Sequence, residues 1–111
     1  MDEARGERIA RNESAYRQVN EAIEAGRATE GEDAPRPFVC ECGQLGCNQL
    51  VELTIREYEA VRANPRRFFM VAGHEIPDVE FVVERHDRFL VAEKHDHEAE
   101  IAEATDPRSA G

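Results

Sequence analysis

Three cysteines fall within eight positions, in the run Cys40-Glu41-Cys42-Gly43-Gln44-Leu45-Gly46-Cys47. In extended backbone, side chains two residues apart share a face, so Cys40 and Cys42 present both sulfurs on one side. Gly43 and Gly46 let the chain fold back through conformations that a Cβ obstructs, which returns Cys47 to the same side. Three converging thiolates suit a soft, tetrahedral cation, and zinc is the commonest in a structural site. A closed site needs a fourth ligand, and the chain has no fourth cysteine. His74, in Ala72-Gly73-His74-Glu75, is the first candidate, because Gly73 permits a sharp turn that aims the imidazole. His86, His95, His97, a carboxylate or water are the alternatives. The expected cofactor is therefore Zn2+ on Cys40, Cys42, Cys47 and His74. Glu41 and Glu75 alone are weak candidates for a general base beside an open metal, so no catalytic residue is assigned. Two competing readings of the cysteines are buried small hydrophobes and a redox pair. A Cys40–Cys42 disulfide would close a very small ring, and strained disulfides are labile.

The flanking segments must position these ligands. Phe38-Val39-Cys40 and Leu50-Val51-Glu52-Leu53 read as two short strands around a glycine-containing turn, a β-hairpin with the cysteines at its tip. Thr54-Ile55-Arg56-Glu57 has the form of a capping box, which predicts a helix from Ile55 to about Ala63 that Asn64-Pro65 ends. Phe68 to Ala72, Glu80 to Glu84 and Phe89 to Glu93 read as further strands, with Arg85-His86-Asp87-Arg88 a hairpin loop. Ahead of them, Arg5 to Ala25 carries Ile9, Tyr16, Val19 and Ile23 at helical spacing. Gly26 to Pro37 has no large apolar residue and reads as a linker. The expected organisation is an N-terminal amphipathic helix (1–25), a flexible linker (26–36), a zinc-binding domain (37–94) and a polar tail (95–111) in which 99–104 could form a short helix. The fold class is α+β: a zinc-tipped hairpin, a capped helix and a small antiparallel sheet. A core that small seldom supplies more than about 3–5 kcal/mol by itself and commonly needs a staple, an independent reason to expect a metal.

Composition bounds what such a domain does. The 111 residues carry a formal charge of −10, with 34% charged residues, a mean hydropathy of −0.66 and no Trp. That surface repels phosphate backbones, so nucleic acid is an unfavoured partner. No apolar stretch is long enough to span a bilayer, and the N-terminus lacks the basic-then-apolar order of a signal peptide, so the expected compartment is the cytoplasm. Arg62, Arg66 and Arg67 could bind phosphate, but favourable charge at a helix C-terminus explains them as well. His95-Asp96-His97 could hold a second metal but reads as solvated tail. There is no Gly-rich phosphate loop and no Ser/His/Asp set.

The pattern Phe38-x-Cys40-Glu41-Cys42-x4-Cys47, then Leu53-Thr54-x2-Glu57-Tyr58-x2-Val61-Arg62 and Gly73-His74-Glu75, resembles a group of short, uncharacterised bacterial proteins. The run Arg11-Asn12-Glu13-x3-Arg17-x-Val19-Asn20-Glu21 is similar to theirs too. The resemblance carries no activity; it implies that the cysteine cluster and Gly73-His74-Glu75 belong to one module. The expected function is a non-catalytic, zinc-stabilised protein-interaction or regulatory module that meets its partner through the N-terminal helix. A thiol or zinc redox sensor and a nucleic-acid-associated zinc protein are the alternatives.

Overall fold

A computed structural model describes residues 3–27, 31, 33–44 and 46–109. Both chain ends, Leu45 and part of the expected linker lie outside the described residues. The elements run α1 (Glu3–Ala25), β1 (Arg36–Val39), β2 (Leu50–Leu53), α2 (Ile55–Arg62), β3 (Arg67–Met70), β4 (Glu80–Arg85), β5 (Leu90–Lys94) and α3 (Asp96–Ala104), ending in a 3-10 turn at Pro107–Ser109. The fold is mixed α+β, as expected. β1 and β2 form the antiparallel hairpin, with Phe38 opposite Val51 and Val39 opposite Leu50. The other three strands form a second antiparallel sheet in the order β3-β5-β4.

Local chemistry explains these boundaries. Thr54 accepts from the Glu57 N–H at 3.0 Å, and the Glu57 carboxylate accepts from the Thr54 N–H at 2.9 Å, the reciprocal pair that starts α2. An extra residue between Val82 and Glu84 puts a bulge in β4. The apolar core lies between the hairpin, α2 and the larger sheet. Phe38 stacks on Tyr58 at 4.8 Å between centroids, and Phe69 meets both rings edge-on. Phe38, Tyr58 and Phe69 are fully buried, so this cluster fixes the hairpin against α2 and β3.

α1 folds back onto β1 and α3. Its expected apolar stripe is only partly used: Ile9 is buried, Tyr16 and Ile23 are half-buried, and Val19 is 47% exposed. The buried face instead carries Ala10, Glu13, Ser14, Arg17 and Asn20. Their spacing is helical, but most of them are polar, so α1 docks through ion pairs and hydrogen bonds as well as apolar contact. The chain after β5 is also more ordered than a solvated tail: α3 begins at Asp96 and packs on α1, with Ala99 and Ala102 buried.

Candidate metal centre

The hairpin delivers the two cysteines that follow its first strand as the strand period dictates. Cys40 N–H donates to the Gln49 carbonyl at 3.0 Å, which extends the ladder one step beyond β1. Glu41 N–H then turns to the Phe69 carbonyl at 3.0 Å and ties the cysteine segment to β3. Cys40 and Cys42 are fully buried, whereas Cys47 and His74 are half-buried at the tip. Gly46 has φ +82°, the left-handed conformation that the return of Cys47 requires. Gly43 does a different job from the one its sequence position suggests. Its φ is not positive, but a Cβ there would collide with the Ile9 side chain of α1.

Past the end of β3, the His74 N–H donates to the Val71 carbonyl at 3.0 Å, and Gly73 has φ +96°. This turn brings His74 Nδ1 to 3.6 Å from Cys40 Sγ and 3.8 Å from Cys47 Sγ. The ligand atoms of Cys40, Cys42, Cys47 and His74 all lie within 4.8 Å of one another, and the four residues could hold a metal ion. Ideal tetrahedral zinc separates two sulfurs by about 3.8 Å and a sulfur from a nitrogen by about 3.5 Å. The two nitrogen-to-sulfur spacings are close to that geometry, and the 4.8 Å limit on the whole set leaves at most about 1 Å of contraction between sulfurs.

The sulfurs shift one another's acidity. The Cys40 thiol donates to Cys42, which lowers Cys42 to about 5 against opposing burial; Gln44 N–H, His74 and Cys47 assist. The same bond, with burial, pushes Cys40 up, although the Val71 N–H at 3.3 Å from its sulfur pulls the other way. Burial also raises Cys47. Cys42 is therefore the sulfur whose surroundings most favour the thiolate, the form that binds a soft cation.

The remaining histidines stay apart from the cluster. His86 sits 2.8 Å from Glu84 and stacks on Phe89, His95 lies beside Asp96, and His97 contacts Glu7 across from α1. Nor do the nearest acids face the sulfurs. Glu75 accepts from the Gly73 N–H at 2.7 Å. Glu41 points to the opposite side, where its carboxylate meets Arg17 at 3.4 Å and Asn20 at 3.0 Å.

That opposite side is what sequence reasoning missed. Asn20 brackets the strand, donating to the Val39 carbonyl and accepting from the Val39 N–H, each at 2.8 Å. Arg17 is buried, donates to the Pro65 carbonyl at 3.0 Å and lies 3.7 Å from the Phe68 ring centre. Lys94, also buried, contacts Glu13 of α1 and lies 2.8 Å from Glu80. The recognisable signal was the alternation itself: if Cys40 and Cys42 face one way, Glu41 must face the other and needs a buried cation. Arg62 pairs with Asp106 and with Glu21 at 3.4 Å, Arg66 with Glu103 at 2.5 Å, and Arg67 with Glu93 at 2.9 Å. The arginine cluster near the end of α2 is thus engaged within the chain.

No protein-family model matches the sequence, and comparisons with curated proteins and with solved structures return no significant match. Among the described residues, no helix is long and apolar enough to cross a membrane.

Proposed function

We propose that this chain is a non-catalytic protein-interaction or regulatory module whose fold is held by one zinc ion. The observation that carries the reading is the gathering of three sulfurs and one imidazole nitrogen within 4.8 Å at the hairpin tip. Cys40, Cys42, Cys47 and His74 would supply all four ligands of a closed tetrahedron, and zinc would contribute charge compensation and a crosslink between the hairpin and the turn after β3. A closed donor set, with Glu41 and Glu75 both turned to other partners, supports a structural over a hydrolytic role. The outer face of α1, with Val19 exposed beside a buried polar face, is the surface that this reading offers to another protein. The test compares capture from cell extract by the zinc-loaded full chain and by the same chain after chelation. A partner held by the zinc-loaded protein and released by chelation supports the reading; identical capture by both overturns it.

A redox sensor is the second reading. It is favoured by the mutual approach of three sulfurs, one of them at the half-exposed Cys47. Two thiolates would be oxidised to a disulfide by a peroxide, which is reduced to water, and zinc would leave. Reversible zinc release under mild peroxide, restored by a thiol reductant, would support it; retention of the metal would remove it.

A further inference from the structure

Beside the metal loop, an open cleft of about 510 Å³ separates the first turns of α1 from Gly43 and Gln44. Ile9 and Ile76 give it an apolar floor, and both approach the position of the missing Gly43 Cβ. Its rim is basic. Arg5, Arg8 and Arg11 line it, in a chain with 24 acidic and 14 basic residues. Arg5 stands 3.9 Å from Asp78. Arg8 and Arg11 are exposed, and among the described residues no carboxylate lies within ion-pair distance of either. This contrasts with Arg17, Arg62, Arg66, Arg67, Arg88 and Arg108, each of which meets a carboxylate of its own chain.

We propose that this cleft docks an acidic peptide segment carrying an apolar side chain. The apolar group would cover Ile9 and Ile76 while flanking carboxylates meet Arg8 and Arg11. The floor argues against a bare phosphate backbone, which has no apolar group to bury there, and the net charge of −10 opposes a long polyanion. Gly43 belongs to the wall of the cleft and also to the Cys40–Cys47 loop, so the metal loop itself shapes the docking surface. The inference rests on the protein-interaction reading and gives that reading a place and a partner chemistry.

The probe is a synthetic hexapeptide of alternating glutamate and leucine, titrated into the zinc-loaded full chain and followed by amide and arginine side-chain NMR. Saturable shifts confined to the first half of α1, Gly43 and Gln44 are expected. Arg8→Gln with Arg11→Gln should weaken binding about tenfold while the rest of the spectrum stays in place, because both side chains are exposed. A charge swap guards against a trivial loss: Arg8→Glu with Arg11→Glu should instead take the same peptide with lysine replacing glutamate. Absence of saturable shifts, or equal binding by the glutamine variant, overturns the proposal. So does tighter binding of a single-stranded oligonucleotide or inorganic phosphate, which would assign the arginines to phosphate. Self-association that the glutamine variant abolishes overturns it too, in favour of a second copy of the chain. If the cleft fails while zinc-dependent capture survives in the glutamine variant, the interaction reading stands and only its location is wrong. If capture proves independent of zinc, the interaction reading fails, and the peptide titration still reports on the cleft directly.

Discussion

The two sides of the Cys40–Cys42 segment make opposite kinds of contact. On one side, two sulfurs meet Cys47 and His74 in a cluster that reaches the surface at its tip. On the other, the half-buried Val39 and the buried Glu41 meet the buried Asn20 and Arg17 through neutral and charged hydrogen bonds. Three residues of backbone thus join a soft-ligand site to a hard ionic one. The comparison teaches that the cysteine–histidine cluster and α1 share a mechanical element. Disturbing either side should be felt by the other, but through different energies: ligand bonds on one side, desolvated charge on the other.

Removing the metal should have the largest effect. Binding of structural zinc in small peptides is worth about 10–16 kcal/mol, comparable to the whole stability of a domain, about 5–15 kcal/mol. Cys42→Ser, or a strong chelator, should therefore abolish the dispersed amide spectrum of the hairpin and α2. A chelated protein that keeps this spectrum would break the comparison at its first side.

Breaking the opposite side comes next. Glu41→Ala leaves the Arg17 guanidinium, whose side chain is 1% exposed, without its carboxylate. Stranding a buried charge costs about 3–5 kcal/mol. Urea denaturation of the zinc-loaded variant should show that loss with one zinc still bound per chain. Glu41→Leu combined with Arg17→Met should recover most of it, because replacing both partners leaves no orphan charge. A loss below about 1 kcal/mol for the single variant would mean that the ionic side contributes little.

Legibility followed the same division. The clustering of Cys40, Cys42, Cys47 and His74 was readable because cysteine and histidine are scarce and their geometry is set by strand period and glycine. The capping box was readable because both of its bonds are local. The docking face of α1 was not, because Glu13, Arg17 and Asn20 have the composition of a solvated face. Only the tertiary partners Glu41, Val39 and Lys94 turn that face inward. The C-terminal segment was obscured for the same reason. Arg108 anchors it by reaching Glu21 at 2.6 Å and Glu24 at 3.2 Å on α1, together with Glu59 on α2 at 2.5 Å. Nothing in its local sequence announces those partners.

That anchor offers the smaller tests. Arg108 is partly exposed, so Arg108→Ala should cost about 1 kcal/mol or less. Its neighbour Glu24 is raised to about 7, by burial first and then by the adjacent Glu59 carboxylate. A carboxyl raised in the folded state favours folding while protonated, and that contribution declines as pH climbs from the ordinary value toward about 7. Glu24→Gln should therefore stabilise the protein slightly at pH above about 7 relative to the native chain, and the difference should shrink toward pH 5. Thermal melts at fixed zinc across that range check the sign. A difference that grows on acidification would contradict the assignment.

Metal content per chain tests the central claim most directly. Native mass spectrometry of the purified protein should find one zinc per chain. Cobalt substitution should give the visible spectrum of a tetrahedral site with three sulfurs and one nitrogen. His74→Ala should lower metal affinity or change that spectrum, while His86→Ala should leave both unchanged. Purified protein that binds no metal yet melts cooperatively, indifferent to chelator, would contradict the account.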